Sequence, residues 1–346
     1  MKLTLITRML AALLVFALST TAFAQTLKIA TIAPEGSSWM IDMRSGAKVI
    51  ETHTEGRVKF KFYGGGVQGN DKQVRRKMRT GQLHGGAFTS GGMNGFQKDA
   101  DLFALPLMFN TIAEARLVRA HMEANLRQRL EDGGYVNFGF AAAGFAYMMS
   151  NKPMSTLADF KGQKVWTPEG DPISYAALRA LGVAPVILPV TDVMTGLQTD
   201  LLDSVTVPPV GAVVFQWHTK LKYITEVPVA YVYAAMLIDK RAFSKISPED
   251  QLIVREVMEG IYRKFDQNGV TDNRDALEAL LESGLELIPT DAAEVSRWRG
   301  IVTESHRKLA AEGVFDIQLL QQMQLLLDDY RAGQGQGQDE GAVAAH

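Results

Sequence analysis

The sequence predicts an α/β fold with a largely parallel sheet. Two observations carry that reading. Short segments with strand character alternate with helical segments along most of the chain. The helix ends are marked by capping residues, by proline at first turns and by glycine at stops. With 346 residues, 47% hydrophobic and 21% charged, the chain holds material for one large or two medium domains with real cores.

Taken in order, residues 26–32 alternate into a strand, and Ser37 or Ser38 caps a helix from Trp39 to about Thr54. Gly56 stops it. Residues 58–62 (VKFKF) have strict period-two alternation, the pattern of a half-exposed strand. Asp71–Thr80 is expected to be helical, Gly85–Thr89 a buried strand, and Thr111-x-x-Glu114 a capping box opening a helix to about Leu130. The apolar, glycine-interrupted run from Phe138 to Met149 reads as a crossover between domains. A second alternating set follows, with a short strand at 164–165 and a helix opened by Asp171-Pro172 and closed by Gly182. Ser247-Pro248-Glu249-Asp250 starts a helix, and no proline occurs again before Pro289, so the segment to about Glu282 is one long helix or two broken near Gly269. A last helix is expected over Ile317–Arg331. The glycine- and glutamine-rich residues 332–346 are expected to be disordered.

Residues 1–24 have the layout of a secretory leader: Lys2 and Arg8, an apolar run at 9–18, then Ala22-Phe23-Ala24. The apolar run is about half the ~20 residues a membrane span needs. Cleavage would leave Gln25 first and change the formal charge from −2 to 34 − 38 = −4. Neither value favours nucleic acid or an anionic membrane as partner. With no cysteine, disulfides, thiol catalysis and a lipid-modified cysteine after the leader are excluded. The expectation is an exported, untethered protein.

Candidate chemistry is sparse. Gly64-x-Gly66-x-x-Gly69 follows a strand and precedes a helix, the layout of a dinucleotide-binding turn. That site also needs an acid about 20 residues on for the ribose hydroxyls. Between Lys72 and Lys98 there is no Asp or Glu, so the glycines read as a turn. Lys72, Arg75, Arg76, Lys77 and Arg79 crowd one short helix and read as a solvated face. The six histidines are scattered, with no pair at helical spacing for a metal, and no nucleophile elbow or His-Glu-x-x-His is present. No catalytic constellation, cofactor or metal is expected.

Residues 158–209 carry the most information: ADFKGQKVWTPEGDPISYAALRALGVAPVILPVTDVMTGLQTDLLDSVTVPP. With the opening Glu35-Gly36-Ser37-Ser38-Trp39, the Gly69-Asn70-Asp71 turn, Leu83–Ser90 and the helix start at Ser247, this block closely resembles the periplasmic solute receptors of TRAP transporters, the DctP type. The resemblance covers Leu27 to about Leu326. It implies a two-lobed periplasmic binding protein fold, each lobe a mixed sheet flanked by helices, with a long helix spanning both. Lobe I would comprise residues 25–142 and 233–272, and lobe II residues 143–232 and 273–331. It also implies a monomer that closes on a small solute and delivers it to the transporter's integral membrane subunits, with no turnover. Carried over by position, the pocket would draw on Trp39, Asn70, Thr89, Ser90, Phe145, Trp166, Thr206 and Trp217.

The chain departs from the family at the ligand anchor. Members usually read Lys-Gly-x-Lys-Ile-Arg-x-Pro where this chain has Trp166, and that arginine clamps a carboxylate. The preceding strand, residues 144–149, lacks the cation that members commonly place there, and a commonly polar pair before Pro208 is Thr206-Val207. Either the pocket has changed in kind, with an amphipathic or apolar solute between Trp166 and Phe145, or Trp166 packs in the core while another cation holds the acid. A cationic solute near Trp166, Glu169 and Tyr175 is a further reading. A ligand-sensing role with a signalling partner and a secreted two-lobed enzyme are the alternatives of other classes.

Overall fold

A computed structural model describes residues 24–343; the proposed leader lies outside the described residues except for Ala24. The strands are β1 (Gln25–Thr31), β2 (Val58–Tyr63), β3 (Gly85–Thr89), β4 (Tyr135–Asn137), β5 (Ala141–Ser150), β6 (Trp166–Pro168), β7 (Val186–Leu188), β8 (Ser204–Val207), β9 (Tyr223–Asp239) and β10 (Glu286–Ile288). The helices that matter below are α1 (Ser38–His53), α2 (Asp71–Arg79), α3 (Ser90–Met93), α4 (Ile112–Asp132), α5 (Pro172–Ala180), α6 (Val193–Gln198), α7 (Pro209–Val214), α8 (Lys240–Phe243), α9 (Pro248–Glu282), α10 (Ala292–Ala311) and α11 (Ile317–Val343).

The capping signals place the helices well. Ser37 Oγ accepts from the Met40 amide, Asn70 forms a reciprocal box with Gln73, and Asp171 and Ser247 cap α5 and α9. Thr111 caps α4 through the Glu114 amide, but the box is not reciprocal: Glu114 instead accepts from the Asn110 amide and is held by Arg331.

The sheet runs β2-β1-β3-β9-β5-β8, with β4 and β10 also on β9. Parallel pairing, as expected, joins β1 to β2 and β3 at the first edge and β10 to β9. The two apolar crossover strands reverse the pattern. β9 is antiparallel to β3 at one end and to β5 along most of its length, and β5 is antiparallel to β8. Their apolar runs could not reveal direction, because a strand covered on both faces reads the same either way. The short strand expected at 164–165 starts two residues later, where Trp166–Pro168 pairs parallel with β7. β5 and β9 therefore run through both lobes of a two-lobed α/β fold. The first lobe holds β1–β3 and α1–α4; the second holds β6–β8 and α5–α7.

The segment after Ser247 is one helix of 35 residues, unbroken at Gly269. Gly269 is required by packing rather than by a bend: a Cβ there would stand 2.5 Å from the Ala142 carbonyl oxygen of β5. One turn on, Asn273 Nδ2 donates to Ala143 O (2.6 Å) and Gly269 O (2.7 Å), and its Oδ1 accepts from the Val210 amide of α7 (3.3 Å). The same helix packs on α1 in the first lobe and on α7 in the second.

A buried ion network locks the crossover to this helix. Arg119 of α4 pairs with Asp266 of α9 and with Glu123, and donates to the Phe140 carbonyl (2.6 Å); Asp266 also accepts from the Ala142 amide (3.1 Å). Burial opposes the Arg119 charge, but Glu123 and Asp266 outweigh it, so the guanidinium is held above its ordinary range.

The last helix corrects two expectations. It continues from Ile317 past Arg331 to Val343, with no proline after Arg331 to stop it despite the glycines there. Its first turns pack on the first lobe, not the second. Leu319, Leu320, Met323 and Leu327 share a core with Val118, Met122 and Leu126 of α4, and Arg331 pairs with Glu114 at 2.8 Å.

Arg119→Ala would strand Asp266 and Glu123 beside the crossover. The expected cost is about 3–5 kcal/mol, read as a lower denaturation midpoint in chemical unfolding.

Candidate functional site

Where the lobes face each other, the chain closes over a cavity of about 210 Å³. Its mouth is polar. Thr89 and Ser90 stand at the end of β3 and the start of α3, with Asp171 and Ser174 at the start of α5 opposite. Its interior lies in the second lobe, between two apolar clusters. Trp166, Val207 and Trp217 belong to one; Phe160, Leu178 and Trp298 belong to the other. Thr206 lines it as well, its hydroxyl turned to Met148 Sδ at 3.7 Å.

Trp166 is both core and wall, so the two sequence readings of it combine. It is 6% exposed, its indole N–H donates to the Leu188 carbonyl (2.9 Å), and its ring meets Trp217 edge to face at 5.4 Å. Because its one donor is used, the indole offers a ligand only π surface. Trp217 in turn stacks on Phe215, which also lines the cavity.

Five of the eight expected residues therefore line the cavity: Thr89, Ser90, Trp166, Thr206 and Trp217. Three do not. Trp39 stacks flat on Phe265 of α9, 4.6 Å between centroids. Phe145 packs against Tyr231 at 5.4 Å on the first-lobe side of the crossover, so it cannot sandwich a solute with Trp166. Asn70 donates to Glu169 Oε2 (2.8 Å), joining the two lobes beside the mouth.

The glycine triplet has a structural use in the same closure. Gly66, at φ +71°, lies so close to Thr191 of the second lobe that a Cβ would stand 2.7 Å from its methyl group. Glycine here admits the facing lobe.

Among the described residues that line the cavity there is no Lys, Arg or His; Asp171 is the one ionisable side chain. Arg299, next to Trp298, is not in the lining; its Nε donates to the carbonyl of Leu107, a wall residue (3.3 Å). His306 lies two turns beyond Trp298 on α10. It is 1% exposed with neither ring nitrogen hydrogen-bonded, and burial pushes its pKa down to about 4, leaving it neutral at pH 7. No group of His, Asp and Glu among the described residues is arranged to hold a metal ion.

Carboxylates gather at the mouth instead. Asp71 lies against Gly92, where no Cβ would fit, and Asp171 Oδ2 would stand 3.2 Å from a Cβ at Gly91. Asp171 Oδ1 accepts from the Ile173 and Ser174 amides, and burial raises its carboxyl. Asp101, 2% exposed and without a side-chain hydrogen-bond partner, lies behind them. Burial, then the charge of Asp171, holds it well above the carboxylate range. Sequence reading missed this group because Asp71, Asp101 and Asp171 come from three separate segments and each looks locally like a helix-end acid.

Most of the interior was missed too. Phe160, Leu178, Trp298 and Val302 have ordinary core spacing, and nothing local distinguishes the wall of a cavity from a filled core.

Residues 29–313 match the family described as bacterial extracellular solute-binding protein, family 7 (DctP). The chain is 26% identical over 287 residues to the 2,3-diketo-L-gulonate-binding periplasmic protein of Escherichia coli, covering 81% of this chain and 85% of that one. It is 26% identical over 271 residues to the C4-dicarboxylate-binding periplasmic protein of Rhodobacter capsulatus, covering 76% and 80%. Among solved structures, it is similar to a TRAP periplasmic solute-binding protein of Sulfurospirillum deleyianum with bound succinate: TM-score 0.80, 18% identity, 88% and 100% of the chains. One from Desulfovibrio salexigens with bound orotic acid gives TM-score 0.79, 20% identity, 88% and 99% coverage. Among the described residues no helix is long and apolar enough to cross a membrane.

Burial pushes the Asp71 carboxyl up to about 6, against the pull of Arg75, with Glu169 adding to the rise. Between its ordinary value and about pH 6 the native chain then holds a proton that the unfolded chain has lost, so this group's contribution to stability falls as pH rises through that window. Asp71→Asn removes the fall. Melting curves should show no gain from the variant near pH 4 and a gain of about 1–3 kcal/mol at pH 7.

Proposed function

Because the chain belongs to family 7 of the bacterial extracellular solute-binding proteins, the receptors of TRAP transporters, and is a binding protein rather than an enzyme, we propose that it captures an apolar or amphipathic solute. The observation that carries this is the cavity's lining: aromatic and aliphatic side chains, with no base among them. A carboxylate held there would lose its water and gain no cation, a cost of several kcal/mol. The relocated-anchor reading needs a base at the wall. Neither Arg299, bound through Nε to the Leu107 carbonyl, nor His306, neutral and enclosed, is in that lining.

The mechanism is closure on the ligand. Thr89 and Ser90 come from one lobe and Asp171, Trp166 and Thr206 from the other or from the crossover, so a solute touching both sets is held fully only in the closed form. Asn70–Glu169 and Gly66–Thr191 are the lobe-to-lobe contacts that form beside it. Export by a leader ending at Ala24, residence in the periplasm as a monomer, and delivery to the small and large membrane subunits complete this reading. It contrasts with the bound acids of the similar structures, and Trp166 in place of the family's usual arginine is the sequence feature that agrees with it.

The test is thermal stabilisation of the protein, refolded to strip carried solute, against small mono- and dicarboxylates and against aromatic, long-chain and amphipathic solutes. A ligand at a hundred times its dissociation constant adds about 2.7 kcal/mol. Shifts confined to the second set are expected, and shifts confined to small carboxylates would overturn the reading. Trp166→Ala should weaken the best ligand by about 30-fold or more, as for an aromatic anchor, in calorimetric titration.

A further inference from the structure

Resting on the reading of the cavity as a site for an amphipathic solute, we infer that the solute's polar end is a cation, an alkyl- or aryl-substituted ammonium, seated between Ser90 and Asp171. Three observations meet here. The first is the ring count: Phe160, Trp166, Phe215, Trp217 and Trp298 all line the cavity. The indole N–H groups of Trp166 and Trp298 are bound to Leu188 O and Glu294 Oε1, so these two rings present π faces and edges instead of donors. Aromatic faces attract cations through their quadrupole, most strongly where water is excluded.

The second is the charge balance at the mouth. Asp171 is the one ionisable group in the wall, and its carboxylate is met by the Ile173 and Ser174 amides and the Ser174 side chain, with no cation among its partners. Its Oδ1 already takes the two amides at the start of α5, so that helix end presents no spare donor at this point to an anion. Glu169 and Asp71 flank it; Arg75, whose charge acts on Asp71, lies over the Phe96 ring at 5.7 Å and is not in the cavity wall. An anion entering here meets carboxylates from both lobes; a cation is what lets those lobes approach.

The third is Asp101. A carboxyl group that is 2% exposed, with the Asn94 backbone as its one hydrogen-bonding neighbour, costs stability unless something offsets it. It stands close enough to Asp171 and Asp71 for each to act on it as a like charge. With Asp101 protonated, the charge left at the mouth is that of Asp171 and Asp71, which a bound cation offsets. An uncharged apolar solute would leave it as it is.

Three probes sharing one apolar body separate the possibilities: 4-phenylbutylammonium, 4-phenylbutanol and 4-phenylbutanoate, titrated calorimetrically into the refolded full chain at pH 7.5. The ammonium should bind about tenfold or more tighter than the alcohol, and the carboxylate weakest. Asp171→Asn keeps a capping side chain for α5 and should bring the ammonium-to-alcohol ratio close to one. Equal binding of all three probes overturns the cation and leaves the amphipathic reading standing. Carboxylate preferred over ammonium overturns the cation outright. An ammonium preference that survives Asp171→Asn overturns the assignment to Asp171. If none of the three binds and only small polar carboxylates do, both readings fall. The wild-type ratios decide the first point even if the variant does not fold.

Discussion

The close approach of α9 to the crossover strand β5 is the constraint on which the two-lobed architecture depends. Gly269 lets the helix backbone touch the strand, and Asn273 and Asp266 then bond to the backbone of residues 142 and 143. A helix of 35 residues is about 50 Å long, so it reaches α1 in one lobe and α7 in the other. Closure must then occur in the segments on either side of this contact. The register shift between Ala142 and Gly144, with Gly144 at φ +96°, lies beside it.

Around this fixed seam the molecule separates two kinds of polarity. Charged groups that hold the fold are paired: Arg119 with Asp266 and Glu123, Arg331 with Glu114, Arg129 with Asp99 and Asp316. Charged groups at the mouth of the cavity are unbalanced, with carboxylates from both lobes and no base in the wall. Paired buried charges contribute specificity at little net gain, whereas unpaired ones store a cost that a ligand can remove. The fold tolerates that cost where the seam and four apolar clusters supply the stability.

The cavity wall is centred on one residue. Tryptophan at position 166 brings no positive charge and spends its single donor on Leu188. What remains is a broad aromatic wall continuous with Trp217 and Phe215. The similar structures share the fold at about 20% identity.

The sequence by itself determined the elements whose signals are local. The caps at Ser37, Asn70, Asp171 and Ser247, the buried strand at 85–89 and the family-typical block 158–209 were all legible, because each rests on residues within a few positions of one another. The sequence did not show that Trp39 and Phe145 are spent on Phe265 and Tyr231, that the last helix packs on the first lobe, or that β9 reverses the sheet. Nor did it show Asp71, Asp101 and Asp171 as one group. Those outcomes depend on which distant segments meet, and an apolar or acidic residue reads the same locally whether its partner is a side chain, a backbone or a ligand. Only the tertiary structure decides the partner, and the partner decides the function.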